Sequence, residues 1–254
     1  MQKVFILNKK EGETPLERMD IFRKQESRKD KKFQDIKMTY AGRLDPMASG
    51  VMIVLVGDET KNKQRYLNFT KEYDFEILFG FNTDTHDILG LVRDFKVIQD
   101  VEKSELENKI KDNIKYFKGK ILQKYPLYSS KTVEGKQLFE YGRAGLNVEL
   151  PEHEVEVKSL EFLKLKKINN KKLLENIEKR VDRVKGDFRQ KDILKLWRQK
   201  LNTKKDTIYF IGSFKIKCAS GTYVRSLAND LGYRISVPAL AFSIKRTKIG
   251  KYTI

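Results

Sequence analysis

The chain has one cysteine, two histidines and one tryptophan in 254 residues. A single thiol, Cys218, excludes a disulfide within the chain, and His86 and His153 lie too far apart to give the ligand spacing of a metal site. Nowhere do about eighteen apolar residues run together, and no long apolar segment follows the lysine of the opening "MQKVFILNKK". These absences predict a cytoplasmic protein with neither metal nor membrane. Acidic residues are also the minority: 35 Asp and Glu stand against 53 Lys and Arg, a net charge of +18 spread along the chain. Such an excess points to a polyanionic partner but does not by itself choose between RNA, DNA and an acidic membrane. The 39% hydrophobic content supplies a core for one large domain or two small ones, and there is no internal repeat or low-complexity tail.

"VFIL", from Val4, reads as a strand, and in "NKKEGETPLE" Thr14 caps a helix, with Pro15 at its first position and Glu17 completing a capping box. "RKQESRKDKK", from Arg23, is too polar to pack and reads as a helix end or loop. "VMIVLVGDETK", from Val51, is a near-continuous apolar run without polar alternation, which predicts burial on both sides. "EYDFEILFGF", from Glu72, alternates as a strand does, and the following "NTDTHDILG" is rich in turn formers. From Ser104 the pattern predicts a helix with a capping box to Glu107 and an apolar stripe at Leu106, Ile110, Ile114 and Phe117, stopped near Gly119.

Between Lys167 and Lys205 there is no proline and one glycine. Leu173, Ile177, Val181 and Val184 fit one helical face and Ile193, Trp197 and Leu201 a second, with "KGD" from Lys185 as the turn. This predicts a basic helical hairpin standing off the main domain, its charge serving either solubility alone or contact with RNA. "FKIKC" then places Phe214, Ile216 and Cys218 on the apolar face of a strand, so the cysteine reads as core. After a Gly turn, Val224, Leu227 and Leu231 form the inner face of a helix.

One aspartate stands out in "TYAGRLDPMASG". Read alone, Asp45 before a proline in a glycine-bearing turn satisfies nearby backbone N–H groups and is structural. Its company changes that reading: Tyr40 and Arg43 flank it, Tyr73 opens a strand, and Arg225 sits just inside the helix that begins after "SGT".

In order and local context these segments resemble the bacterial tRNA pseudouridine synthases of the TruB type, which isomerise the uridine at position 55 of the T loop. "LNKKEGETP" resembles the family's Lys-rich turn, "AGRLDPMASGVMIVLVGDETK" its aspartate motif, and "KEYDFEILFGFNTDTHDILG" its tyrosine strand and Thr-Asp-Thr turn. "YPLYSSKTVEGKQLFEYGRAG" is similar to its Pro-Tyr-Ser-Ala segment, "CASGTYVRSLANDLG" to its arginine helix, and "FSIKRTKIGKY" to its last strand. The resemblance implies an α+β fold, with a curved, mostly antiparallel mixed sheet, flanking helices and a central RNA-binding cleft. It implies one catalytic domain, expected over 1–254; the helical arm at about 167–205 is an addition to the family pattern, and the carboxy-terminal PUA domain often attached is expected to be missing. Asp45, Tyr73 and Arg225 are then catalytic, and Tyr40, Arg43, Tyr73, Lys131, Tyr223, Ile244 and Arg246 contact the substrate. Lys9, Lys10, Lys61, Arg143 and Lys245 join Lys131 and Arg246 as candidate phosphate partners. The partner is the T stem-loop of tRNA, the protein is a monomer, and no cofactor is needed.

Two positions depart from the family pattern. Tyr40 replaces a histidine usual there, and Arg43 gives an "RLD" similar to that of the large-subunit rRNA and dual-specificity pseudouridine synthases. A sibling enzyme acting on rRNA or several sites is therefore a second expectation, and a binding-only tRNA folding helper a third.

The chemistry accounts for these residue types. The reaction breaks the N1–C1′ bond, turns the free uracil and joins C5 to the same sugar carbon, without redox change. It needs a nucleophile or charge stabiliser, a closed pocket and a base for the C5 proton. A carboxylate serves first only while ionised, a form that a fixed guanidinium beside it favours. Tyr73 suits stacking on the base and the proton transfer. The uridine must also leave its stack, at a cost of a few kcal/mol.

Overall fold

The apolar run after Asp45 is a nine-residue strand, Ala48–Val56, buried on both faces as its lack of alternation predicts. The structure, a computed structural model, describes residues 3–97, 103–203 and 206–254. Its strands are β1 (Val4–Lys9), β2 (Met38–Ala41), β3 (Ala48–Val56), β4 (Lys71–Phe79), β5 (Phe81–Thr83), β6 (Val92–Phe95), β7 (Gly119–Lys124), β8 (Thr132–Val133), β9 (Lys136–Gln137), β10 (Glu152–Asn169), β11 (Ile208–Cys218), β12 (Ala239–Ile249) and β13 (Tyr252–Thr253). The helices are α1 (Pro15–Ser27), α2 (Lys63–Leu67), α3 (Lys103–Asn113), α4 (Leu138–Ala144), α5 (Asn170–Val181), α6 (Gln190–Leu201) and α7 (Val224–Arg234).

Among the described residues one nine-stranded sheet runs β1-β3-β12-β4-β11-β10-β7, with β2 added beside β3 and β13 beside β12. Its ladders are antiparallel, except where Ala48, Ser49 and Gly50 of β3 pair in parallel with Ile244, Lys245 and Arg246 of β12. The close approach at this seam requires a glycine. Gly50 has φ 105°, and a Cβ there would lie 2.1 Å from the Arg246 carbonyl oxygen. The structure is thus α+β with a mixed, mostly antiparallel sheet.

Strand periodicity sorts the core into two layers. Phe75, Ile77 and Phe79 of β4 join Phe214, Ile216 and Cys218 of β11 on one face, beneath Ile110 of α3 and Leu227 and Leu231 of α7. Leu78 of β4, Tyr209 and Ile211 of β11 and Leu240 of β12 point the other way, to Leu173 and Ile177 of α5 and Ile193 and Trp197 of α6. The helical hairpin therefore does not stand off the domain; it covers the second face of the sheet. Its two apolar faces need a partner, and the residues of β4 and β11 pointing away from α7 need cover. Trp197 is fully buried, with its ring 4.9 Å from that of Phe81 and its N–H donating to the Ile88 carbonyl at 3.3 Å. The hairpin begins at Asn170, because β10 runs on to Asn169, and Lys205 lies outside the described residues.

At the other end of the sheet, α1 packs Met19 and Phe22 on the β1–β3 layer. Its capping box is formed: the Thr14 hydroxyl accepts from Glu17 N at 3.2 Å, and Thr14 N donates to the Glu17 carboxylate at 2.7 Å. In α3 the expected stripe faces inward at Leu106 and Ile110, but the helix already includes Lys103, so Ser104 is inside it and not its cap.

Candidate active site

Asp45 lies in the loop between β2 and β3, and the apolar residues around it hold that loop from both sides. Leu44 packs into the layer below α7 and Met47 into the layer below the hairpin. Two buried cations finish the anchoring. Lys9 donates to the carbonyls of Lys10 (3.1 Å), Pro46 (3.4 Å) and Ala48 (2.5 Å). Arg246 donates to those of Val51 (2.8 Å), Gly42 (3.1 Å) and Arg43 (3.5 Å). Both side chains are buried, 0% and 1% exposed, so the expectation that they meet phosphate is corrected. Backbone oxygens of the Asp45 loop (Gly42, Arg43 and Pro46) and of β3 (Ala48 and Val51) take the place of water around these cations. Burial pushes the Lys9 ammonium down to about 8.

The Asp45 carboxylate meets Arg225, the second residue of α7, at 2.7 Å from Nε to Oδ2. The guanidinium is 3% exposed and the carboxylate 33%, so the cation is fixed inside while the acid reaches solvent. Arg225 has further partners: Nη1 donates to the Thr85 carbonyl at 2.5 Å and Nη2 to that of Tyr128 at 3.1 Å. Asp87 adds a second carboxylate, 3.8 Å from Nε. Asp87 is buried, and accepts from the Thr85 hydroxyl at 2.7 Å and from Leu89 N at 2.9 Å. Burial pushes its carboxyl up to about 6 against the pull of Arg225. Beside it His86, at φ 62°, is pushed down to about 4 by burial and by the Arg225 cation. The turn that carries these groups is tight: a Cβ on Gly90 would lie 2.3 Å from the Thr85 hydroxyl oxygen.

Tyr73 of β4 sits opposite Arg246 in the β4/β12 register and shares an apolar cluster with Leu44, Val224 and Ile244. Burial raises the pKa of its phenol, opposed by Arg246 and supported by the negative charge of Asp45. Tyr223, just before α7, also senses Asp45; burial is the larger cause of its raised pKa. Its backbone is clamped at both ends by the buried Gln123 of β7, at 2.8 and 3.1 Å. Its ring lies 5.8 Å from that of Tyr125, over which the Lys131 ammonium sits at 5.2 Å.

Apart from the buried Lys9 and Arg246, the sequence-predicted residues fall into three groups. Asp45, Tyr73, Tyr223, Arg225 and Ile244 converge. Arg43, Lys131 and Lys10 are exposed on loops, while Lys61 is exposed on the 3-10 turn after β3, Arg143 on α4 and Lys245 on β12. Tyr40 is elsewhere, packed with the α1 cluster and 5.7 Å from the Lys63 ammonium. Sequence reading missed Thr85, Asp87 and Tyr128, the further partners of Arg225. "NTDTHD" showed turn formers, and nothing in it distinguishes a buried carboxylate from an exposed one.

Residues 29–188 match the family model described as TruB family pseudouridylate synthase (N terminal domain). The chain belongs to the TruB family. It is 34% identical over 224 residues to tRNA pseudouridine synthase B of Ligilactobacillus salivarius, covering 87% of this chain and 61% of that one. Its identity to the protein of the same name from Caldicellulosiruptor saccharolyticus is 29% over 218 residues, 86% and 60% of the two chains. It thus spans about three fifths of the length of these curated relatives. Among solved structures, a Cbf5-Nop10-Gar1 complex contains a chain alike in fold, with a TM-score of 0.56 at 20% identity over 99% of this chain and 50% of that one. The pseudouridine synthase fold expected of a TruB family member is the fold observed. The Arg225–Asp45 pair sits where β3, α7 and the turn after β5 meet.

Proposed function

We propose that this protein isomerises uridine to pseudouridine in the T loop of tRNA, at position 55, as a monomer in the cytoplasm, with residues 1–254 acting as one catalytic unit. The observation that carries this reading is the 2.7 Å pair between a buried guanidinium and a solvent-reaching carboxylate, bordered by Tyr73 and Tyr223, in a member of the TruB family. Arg225 pairs with the Asp45 carboxylate and aims it, leaving one face free for the flipped nucleoside. Tyr73, Tyr223 and Ile244 line the base pocket and keep the detached uracil from escaping while it turns. The C5 proton leaves as C5 joins C1′ and N1 gains a proton, so composition is conserved. Tyr73 borders the pair; burial raises the pKa of its phenol, which is protonated at rest and can take the C5 proton only as its own proton passes on to N1.

Arg43, Lys131 and other exposed basic residues hold the RNA backbone, so binding should weaken steeply with salt. The test is to incubate the protein with an unmodified tRNA transcript and map pseudouridine. One modified site, the T-loop uridine, is expected, and it should be absent with Asp45→Asn. Modification confined to rRNA would replace the substrate assigned here with that of a sibling enzyme. Binding without modification by the unaltered protein would leave a folding helper.

A further inference from the structure

The helical hairpin α5–α6 reaches the reaction centre without presenting a residue to it. Arg189 precedes α6 in the left-handed conformation, φ 61° and ψ 29°. Its guanidinium grips both oxygens of Asp84, at 2.7 and 3.3 Å, and lies 4.5 Å over the Tyr128 ring. The Asp84 side chain is 7% exposed and also accepts from Leu91 N at 2.8 Å, closing the turn over 84–91. Arg93 approaches the same carboxylate at 3.7 Å, but through one nitrogen and from an exposed position. The carbonyl of Thr85, next to Asp84, and that of Tyr128 are two of the oxygens that fix Arg225. One hairpin side chain thus ties together, by their side chains, the two segments whose backbones hold the guanidinium facing Asp45.

A second tie runs to the other side. Arg180 of α5 donates to both oxygens of Glu11 at 2.8 Å and to the Phe242 carbonyl at 2.6 Å. The neighbouring Gly12 N donates to the Pro46 carbonyl at 2.9 Å, one residue from Asp45. A Cβ on Gly12 would lie 3.0 Å from Arg183 of the hairpin turn, so loop and hairpin are in contact.

The geometry points to the hairpin as a brace for the catalytic pair, with Arg189 a positioning residue that acts through Asp84 and Tyr128 on Arg225. This rests on the isomerase reading above. An arm that grips RNA would turn its arginines outward. Arg189 and Arg180 instead spend their planar forks on buried or half-buried carboxylates, where a bidentate pair fixes orientation as well as charge.

The test compares Arg189→Gln and Arg189→Lys with the unaltered full chain. Measured are the single-turnover rate on saturating tRNA transcript, the tRNA Kd at several salt concentrations, and hydrogen exchange at the Leu89 and Leu91 amides. Expected for Arg189→Gln is a rate lower by about ten- to a hundredfold, with Kd and its salt dependence unchanged and faster exchange at both amides. Arg189→Lys, with charge but no fork, should fall between. An unchanged rate overturns the proposal, and so does a weaker Kd with a shallower salt dependence at full saturated rate, which would make Arg189 a phosphate contact. Should the glutamine variant fail to fold, Asp84→Asn breaks the same pair from its other side. If the unaltered protein modifies no RNA, the isomerase reading fails on its own, and exchange still decides whether Arg189 orders the turn: unchanged protection at Leu91 refutes the brace.

Discussion

His86 and Asp87 are adjacent, both close to Arg225, and their shifts pull stability in opposite directions with pH. Asp87 is raised from 3.8 to about 6 because burial disfavours its charge. A carboxyl raised on folding contributes stability that is fully present below the unfolded value and lost as pH rises through the folded one. At roughly 1.4 kcal/mol per pKa unit, this is a loss of about 3 kcal/mol between pH 4 and 7. His86 is lowered from 6.5 to about 4, again by burial first and then by the Arg225 cation. A histidine depressed on folding contributes stability present above its unfolded value and lost as pH falls through the folded one, again about 3 kcal/mol but of opposite slope. In the unaltered protein the two largely cancel between pH 4 and 6.5. His86→Asn removes one of them, and asparagine accepts the left-handed backbone found there. The variant should match the unaltered protein at pH 7 and exceed it by about 2–3 kcal/mol near pH 4.5. Urea unfolding at half-unit pH intervals measures the difference. Parallel profiles for the two proteins from pH 4.5 to 7 would refute the reasoning, because they would mean that His86 titrates alike in the folded and unfolded chain.

Asp45→Asn should lower the single-turnover isomerisation rate by more than about a thousandfold while tRNA affinity in a filter-binding assay stays within a few-fold, since the loop is held by Lys9, Arg246 and neighbouring core residues. Trp197→Ala should cost about 3–5 kcal/mol in denaturant unfolding, because the indole fills the layer between hairpin and sheet; a loss under 1 kcal/mol would contradict the docked hairpin. Cys218 is buried, and burial pushes its thiol up to about 11, so a thiol reagent at pH 8 should label it only after unfolding.

Local pattern was enough for most elements. The capping box at Thr14 and Glu17, the two-sided burial of β3 and the inner face of α7 all depend on residues a few positions apart, whose geometry is fixed by helix or strand period. The hairpin shows where that reach ends. Periodicity supplied its two apolar faces, but a face does not state what covers it, and only the unfilled side of β4 and β11 decided that it docks. The same limit applies to charge. Lys9 and Arg246 resemble any surface cation in a basic sequence, and only the fold shows them inside, donating to backbone oxygens of β3 and of the loop that carries Asp45.

Motif order by itself determined the family and singled out Asp45, Tyr73 and Arg225. The tertiary structure decided which atoms meet: Arg225 reaches Asp45 across a sequence separation of 180, and its other donors end on backbone oxygens of Thr85 and Tyr128 that carry no signature in side-chain pattern. The reason is physical. A motif encodes residue type along one dimension, whereas the ion pair, its burial and the brace behind it arise from the meeting of strands and loops far apart in sequence, driven by burial of apolar faces that many sequences share.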